Sequence, residues 1–446
     1  MPIKSFNVIV KKKISPFNQN ILVDGDKSIS IRSFLIGAIS QNISFASNVL
    51  ESEDVKSTIN CLKKLGVKIK KKSKKYLIFG KGLGSFIAKK NAVLDFGNSG
   101  TLARLLIGIL STTPNIEVKV QGDKSLNKRS MRKLIELMEK FGALFSPNKK
   151  FTFPLKLISS ELPIGIKYKA GVSAQLKSAV ILASLNSYGK TSITEKEKSR
   201  NHTENMLLSN KNVIKVQGKS KKIISIFGKK SLTPIKVNVP GDPSSAAFFT
   251  ALTLLNKNSS LKITNVGLNV TRTGFYRLLI NQGAKITFRN IKKENHEYRG
   301  DILVKSSKIK PIKASKKYYV SSTDEYPILF VIAALTKGVS VFEGIEDLAN
   351  KESNRISEMQ KVLKQVGIKS MFSKNKLKIF GKSLNNSRKK ISVPALGDHR
   401  ISMSTFVLAS LIGAEAKIKN FETVFTSFPS FLKIMKQLGA HFEIQK

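Results

Sequence analysis

One phrase is written six times along this chain, and few architectures can hold it. A helical stretch closes on Gly, or once on Asn, and a short strand follows. The copies are Leu62-Lys-Lys-Leu-Gly66-Val, Met138-Glu-Lys-Phe-Gly142-Ala, Met206-Leu-Leu-Ser-Asn-Lys-Asn212-Val, Leu278-Leu-Ile-Asn-Gln-Gly283-Ala, Val362-Leu-Lys-Gln-Val-Gly367-Ile and Ile434-Met-Lys-Gln-Leu-Gly439-Ala. Gly and Asn both tolerate the left-handed conformation that ends a helix. The period, roughly 70–85 residues, is longer than that of familiar solenoids.

A second phrase recurs in the same phase, a small or polar loop opening into an apolar helix. It reads Gly25-Asp-Lys-Ser-Ile-Ser, Gly97-Asn-Ser-Gly-Thr, Gly171-Val-Ser-Ala-Gln, Pro240-Gly-Asp-Pro-Ser-Ser, Ser321-Ser-Thr-Asp-Glu and Leu396-Gly-Asp-His-Arg. The helices that follow are apolar nearly all round and are expected to be buried. Short β-branched runs such as Ser260–Asn265 and Val237–Val239 lie between turn residues and read as strands. Each unit therefore holds one buried helix, one amphipathic helix and several strands. A chain of 446 residues with 41% hydrophobic content suits two or three domains. Three units per domain give two similar α/β domains, with the turn-rich Val239-Pro-Gly-Asp-Pro243 stretch as the internal boundary.

The charge is extreme, 78 Lys and Arg against 29 Asp and Glu. Such an excess fits nucleic-acid binding or an enzyme acting on polyanionic small molecules. The basic residues are mostly Lys, spread from end to end, without a long basic arm. They are read chiefly as a solvated surface, and no nucleic-acid partner is expected. Cys61 is the only cysteine, which excludes an internal disulfide and thiolate metal clusters; it is expected as a buried thiol in a helix. Residues 1–13 lack the apolar run of a secretion signal, and segments such as Ile328–Leu335 are too short to span a bilayer. No membrane association is expected, and a cytoplasmic location is.

Helix beginnings attract anions through free backbone N–H groups and the helix dipole. The recurring loops carry side chains to match: Lys27, Ser28 and Arg32; Gly100 and Arg104; Ser173, Ala174, Gln175 and Lys177; Asp324 and Glu325; Asp398, His399 and Arg400. The second helices open on charge too, with Arg129, Arg200, and the group Lys351, Glu352 and Arg355. Each of these, taken singly, is equally a helix cap or an exposed ion pair. Their weight comes from recurrence at one phase of every unit. No His-Glu-x-x-His, P-loop or dinucleotide-binding fingerprint is present.

Taken in order, Gly25-Asp-Lys-Ser-Ile-Ser-Ile-Arg32, Asp95-Phe-Gly-Asn-Ser-Gly-Thr101, Gly122-Asp-Lys-Ser-Leu-Asn-Lys-Arg129, Ser173-Ala-Gln175, Gly241-Asp-Pro-Ser-Ser245, Asp324-Glu-Tyr-Pro327, Lys351-Glu-Ser-Asn-Arg355, Asp398-His-Arg400 and Thr426-Ser-Phe-Pro429 resemble the EPSP synthases, a family of enolpyruvyl transferases. The resemblance covers nearly the whole chain. It implies two inside-out α/β domains, each of three βαβαββ-like units, closing on a central cleft. Residues 22–241 would form one domain, and 1–21 with 242–446 the other, with hinge crossings near 21–25 and 239–243.

The resemblance further implies transfer of the enolpyruvyl group of phosphoenolpyruvate to the 5-hydroxyl of shikimate 3-phosphate, by a monomer, without cofactor or metal. Asp324 would accept the hydroxyl proton, and Glu352 and Lys27 would handle protons at the enolpyruvyl group. Shikimate 3-phosphate would meet Lys27, Ser28, Arg32, Ser173, Ala174, Gln175, Arg200, Asp324 and Lys351. Phosphoenolpyruvate would meet Lys27, Gly100, Arg129, Gln175, Arg355 and Arg400. Gly100, where some glyphosate-tolerant relatives have Ala, implies sensitivity to glyphosate. Three positions depart from the family pattern: Ser130 where Pro is common, Asn354 in place of Asp, and Thr426 where some relatives carry Lys. The UDP-N-acetylglucosamine branch of the same fold usually places a reactive Cys in a mobile loop, a context that Cys61 lacks.

Overall fold

The computed structural model describes residues 5–218, 222–384 and 389–446. The chain divides into two compact units: Gly25–Val239 with Glu294–Glu297, and Met1–Asp24 with Pro240–Lys293 and Tyr298–Lys446. Six four-stranded sheets are present among the described residues, three in each unit. They are the six sequence repeats.

The middle repeat of the 25–239 unit shows the pattern in unbroken form. Strand Val93–Asp95 leads through helix Gly100–Leu110 to strand Glu117–Gln121, which pairs with it in parallel. Helix Arg132–Glu139 then leads to the antiparallel pair Leu144–Ser146 and Leu155–Ile158. The parallel pair needs a long crossover, and the buried helix is that crossover.

The first repeat borrows its opening strand. Lys236–Asn238, at the far end of the unit, pairs in parallel with Ile43–Ser47. In the other unit Asn18–Leu22 opens a sheet by pairing in parallel with Ser260–Gly267. There Asn7–Val10 also fills the gap between Glu415–Ile418 and Phe442–Gln445, antiparallel to both. An N-terminal segment thus completes sheets made mostly from the C-terminal half.

Both units are inside-out. In the 25–239 unit the helices Lys27–Ile39, Gly100–Leu110 and Ala174–Leu185 are buried along almost their whole length. The sheet strands around them alternate, as in Glu117–Gln121, where Val118 and Val120 are buried and Glu117 and Lys119 are exposed. Each Leu or Ile withdrawn into such a core contributes about 1.5–3 kcal/mol. Close helix packing needs Gly108: a Cβ there would lie 2.6 Å from the Ala179 carbonyl oxygen. The other unit buries Pro243–Leu255, Tyr326–Leu335 and His399–Ile412 in the same way.

The expected helix endings hold at five of six repeats: Gly66, Gly142, Gly283, Gly367 and Gly439 all have positive φ. Asn212 is the exception and is not left-handed. Its helix, His202–Leu207, stops earlier, and turns occupy the residues before strand Ile214–Gln217. In this segment Asn210 makes a long-range contact instead: its side chain accepts hydrogen bonds from the backbone N–H and hydroxyl of Thr233, 2.9 and 3.0 Å away. A side-chain anchor to a distant segment stands where the other repeats have a left-handed cap.

Candidate functional site

Five of the six loops singled out in the sequence cap their helices with a side chain, all but Ser321–Glu325, and the caps fix where the neighbouring side chains stand. In the 25–239 unit Asp26 caps the Lys27–Ile39 helix by accepting from the Ile29 N–H, 2.9 Å away. That sets Lys27 in the first turn, where its Nζ lies 3.1 Å from the Asp54 carboxylate. One turn on, Arg32 is buried and its guanidinium is spread over three partners. Nε donates to the Thr203 hydroxyl at 2.8 Å, and the two terminal nitrogens donate to the Ser178 hydroxyl and the Ser28 carbonyl, each at 3.0 Å.

Ser99 caps the second buried helix, which places Gly100 at its first position. A Cβ on Gly100 would stand 2.7 Å from one terminal nitrogen of Arg104 and 3.4 Å from one of Arg129. Arg129 donates to the Asn98 side-chain oxygen at 2.8 Å, so two guanidiniums border this glycine. Arg104 donates to its own helix at the Gly100 carbonyl. Ser173 caps the third buried helix, and the Gln175 amide donates to the Thr101 hydroxyl at 2.8 Å, tying this cap to the one before it. Arg200 lies half-buried just before helix His202–Leu207.

The other unit holds a compact charge cluster. Arg355, 1% exposed, is the centre. Its Nε lies 2.9 Å from the fully buried Asp398 carboxylate, and its terminal nitrogens face Glu352 and, at 3.7 Å, Asp324. Arg400 approaches the second Asp324 oxygen at 3.6 Å. Burial opposes charge on Arg355, but Asp398, Glu352 and Asp324 outweigh it and push its pKa still higher. Asp398 also caps its own helix through the Arg400 N–H at 3.0 Å and accepts from the Ser353 hydroxyl. Asn354, the departure from the acidic family pattern, caps the next helix by accepting from the Ser357 N–H. Lys351 stands apart from Arg355, paired with Asp347 at 2.6 Å.

The expected residues therefore fall in two groups. Lys27, Ser28, Arg32, Gly100, Arg129, Ser173, Ala174, Gln175 and Arg200 belong to one unit; Asp324, Lys351, Glu352, Arg355 and Arg400 to the other. Within the second group, Asp324, Glu352, Arg355 and Arg400 meet in one cluster. The reading of Lys351, Glu352 and Arg355 as one exposed ion-pair cluster does not survive, because Arg355 is 1% exposed and turned to Asp398, while Lys351 pairs with Asp347 instead.

Sequence reasoning missed two buried anchors. Asp398 is a salt-bridged cap as its loop position allows, but its ionic partner is Arg355, 43 positions away, and not a neighbour in sequence. Lys177 is fully buried with Glu195 and Glu204, its Nζ at 2.7 and 2.8 Å from them. Burial would raise the Glu195 carboxyl, but Lys177 and the two Ser199 hydrogen bonds hold it below the ordinary value. A Lys inside a helix apolar on every other face was the available signal.

A model of the family described as EPSP synthase (3-phosphoshikimate 1-carboxyvinyltransferase) matches residues 11–435. The chain belongs to the EPSP synthase family. It is 38% identical to the 3-phosphoshikimate 1-carboxyvinyltransferase of Zymomonas mobilis over 98% of this chain and 97% of that one. To the Bacillus subtilis enzyme of the same name it is 35% identical, over 96% and 99%. The crystal structure of EPSP synthase from Acinetobacter baumannii superposes with a TM-score of 0.85 at 33% identity, covering 99% of this chain and all of that one. The enolpyruvyl transferase NikO of Streptomyces tendae, at 12% identity and TM-score 0.76, shares the fold. This EPSP synthase-family chain is thus a transferase with the family's two inside-out α/β domains. No helix among its described residues is long and apolar enough to cross a membrane.

Proposed function

We propose that this enzyme joins phosphoenolpyruvate to shikimate 3-phosphate, giving 5-enolpyruvylshikimate 3-phosphate and phosphate in the route to chorismate and the aromatic amino acids. The observation that carries the reading is the Asp324–Arg355–Arg400–Glu352 cluster, in which two carboxylates and two guanidiniums share one small region. Addition and elimination on a phosphorylated enol needs that combination: acids and bases to move protons, and fixed cations to hold carboxylate and phosphate.

In the first step the 5-hydroxyl oxygen attacks C2 of phosphoenolpyruvate. Asp324 takes the hydroxyl proton, and the methylene carbon gains a proton from Glu352 or Lys27. In the second step the bond from C2 to the phosphate oxygen breaks, the same carbon returns its proton, and phosphate leaves. Arg129, Arg355 and Arg400, with Lys27, Gly100 and Gln175, hold phosphoenolpyruvate. Arg forks suit its carboxylate and phosphate bidentately. Lys27, Ser28, Arg32, Ser173, Ala174, Gln175, Arg200, Asp324 and Lys351 hold shikimate 3-phosphate. Asp324 starts each cycle flanked by the two arginines, and an incoming anion competes for them.

The reading includes the domain partition at 22–241 against 1–21 with 242–446. It is supported by the change of compact unit at Asp24/Gly25 and Val239/Pro240. It also includes a monomeric, cytoplasmic enzyme with no nucleic-acid partner. Phosphate release from shikimate 3-phosphate plus phosphoenolpyruvate tests the function. Absence of release with both substrates, or release with UDP-N-acetylglucosamine in place of the shikimate, would overturn it.

A further inference from the structure

In the 25–239 unit, three segments assigned to shikimate 3-phosphate are wired together from behind by side chains that take no part in the assignment. Thr203, fully buried in helix His202–Leu207, accepts the Arg32 Nε–H at 2.8 Å and donates to Ser178 Oγ at 2.8 Å. Ser178, on the helix capped by Ser173, accepts a second Arg32 N–H at 3.0 Å. Two hydrogen-bonded hydroxyls from two different helices thus fix one edge of the guanidinium, the one formed by Nε and Nη2.

Next to Ser178, Lys177 extends the wiring. Its Nζ binds Glu204, the residue after Thr203, and Glu195, which accepts from the Ser199 N–H and hydroxyl at 2.9 and 2.6 Å. Ser199 directly precedes Arg200. The starts of helices Lys27–Ile39 and Ala174–Leu185 and the segment carrying Arg200 are therefore locked to one another. All of these anchoring side chains are less than 2% exposed. Ion pairs from one buried ammonium to two carboxylates, with hydroxyls hydrogen-bonded beside them, favour one arrangement of these segments, because parting the charges would leave them buried and uncompensated.

We infer that Ser178 and Thr203 are positioning residues for Arg32, aiming its guanidinium at shikimate 3-phosphate, with the Lys177–Glu195–Glu204 cluster holding the two hydroxyls in place. The inference rests on the assignment of Arg32 to shikimate 3-phosphate made above. An Arg freed from its hydroxyl frame samples many rotamers, and ordering it again opposes binding.

The test is Thr203→Val, which removes the hydroxyl and keeps the shape, beside Thr203→Ser, which keeps the hydroxyl. Calorimetric titration with shikimate 3-phosphate is expected to show a Kd raised about tenfold in Thr203→Val and within about twofold of the parent in Thr203→Ser. The KM for phosphoenolpyruvate at saturating shikimate 3-phosphate is expected to stay within about twofold, a split that general loosening of the fold would not produce. Should Thr203→Val fail to fold, Ser178→Ala is measured in its place with the same expectation. Unchanged shikimate 3-phosphate affinity in a folded variant, or an equal rise in both KM values, overturns the inference while the function stands. If the parent enzyme neither binds shikimate 3-phosphate nor releases phosphate, the functional assignment falls instead.

Discussion

Arg355 and Asp398 are bound to each other out of reach of solvent, Nε to Oδ2 at 2.9 Å, although 43 residues separate them in the chain. The same carboxylate caps the helix that carries Arg400. One acid thus sets the direction of two arginines assigned to phosphoenolpyruvate. Removing one member of a buried ion pair costs about 3–5 kcal/mol, because the remaining charge keeps its desolvation penalty. Asp398→Asn retains the shape and is expected near the lower end, about 3 kcal/mol, since Glu352 and Asp324 still face Arg355. Urea unfolding measures that loss. Steady-state kinetics should show the KM for phosphoenolpyruvate rising by about tenfold or more.

Lys27 and Asp324 stand in different units, and both are assigned to proton handling or anion binding in one reaction. Lys27→Met keeps the length of the side chain and deletes its charge. Asp324→Asn keeps the shape and deletes the base. Each is expected to lower kcat by about 10³-fold, within the range of general acid–base contributions. Circular dichroism should be unaltered, since both side chains lie at helix starts rather than in the core. Phosphate release at saturating substrates is the measurement, and full activity in either variant removes that residue from the mechanism.

The repeats and the site loops were legible because caps and buried helices are local devices. Asp26, Ser99, Ser173, Asp242, Asn354 and Asp398 each cap a helix within three residues of themselves, so sequence order alone exposes them. What stayed hidden depends on distant partners. Nothing near Lys177 in sequence announces Glu195 or Glu204. The borrowed strands Lys236–Asn238 and Asn18–Leu22 cannot be placed by periodicity either, because their sheet partners lie far along the chain. Asn212 shows the opposite limit: the local rule fails there, in a segment where Asn210 binds the distant Thr233.

Gly100 makes a steric prediction. In Gly100→Ala the new methyl would stand 2.7 Å from a terminal nitrogen of Arg104, the end of a flexible side chain that can yield, and in ordinary contact with Arg129 at 3.4 Å. The variant should therefore fold, because its φ is ordinary for a helix start. A methyl that displaces Arg104 and fills space beside Arg129 is expected to raise the KM for phosphoenolpyruvate about tenfold and to weaken glyphosate inhibition by more than that. The parent enzyme is expected to be glyphosate-sensitive. Inhibition curves on both proteins decide the matter, and a high inhibition constant for the parent refutes it.

Cys61 should behave as an inert thiol. It is buried, its Sγ donates to the Asp95 carbonyl at 3.3 Å, and burial pushes its pKa up to about 12. At pH 8 only about one thiol in 10⁴ is then ionised, and the thiolate is the reactive form. Ellman's reagent is expected to leave the folded enzyme untouched over hours and to titrate one thiol after unfolding in guanidinium. Rapid labelling of the native protein with loss of activity would instead support a catalytic cysteine.

The Lys177 cluster gives stability a pH dependence of fixed sign. The Glu195 carboxyl is held below its ordinary pKa of 4.5, so folding favours its ionised form. Its contribution is complete above the unfolded pKa and is lost as pH falls below 4.5 through the folded value. Glu195→Gln cannot titrate and lacks this contribution at every pH. At pH 7 the parent is expected to be more stable than Glu195→Gln by about 1–3 kcal/mol, the usual cost of disrupting a buried charge-assisted hydrogen bond. Urea titrations stepped downward from pH 7 should show the gap constant at first, then closing below about 4.5 as the parent protonates. A gap that widens on acidification would mean that Glu195 is held neutral, and the ion pair with Lys177 would have to be abandoned.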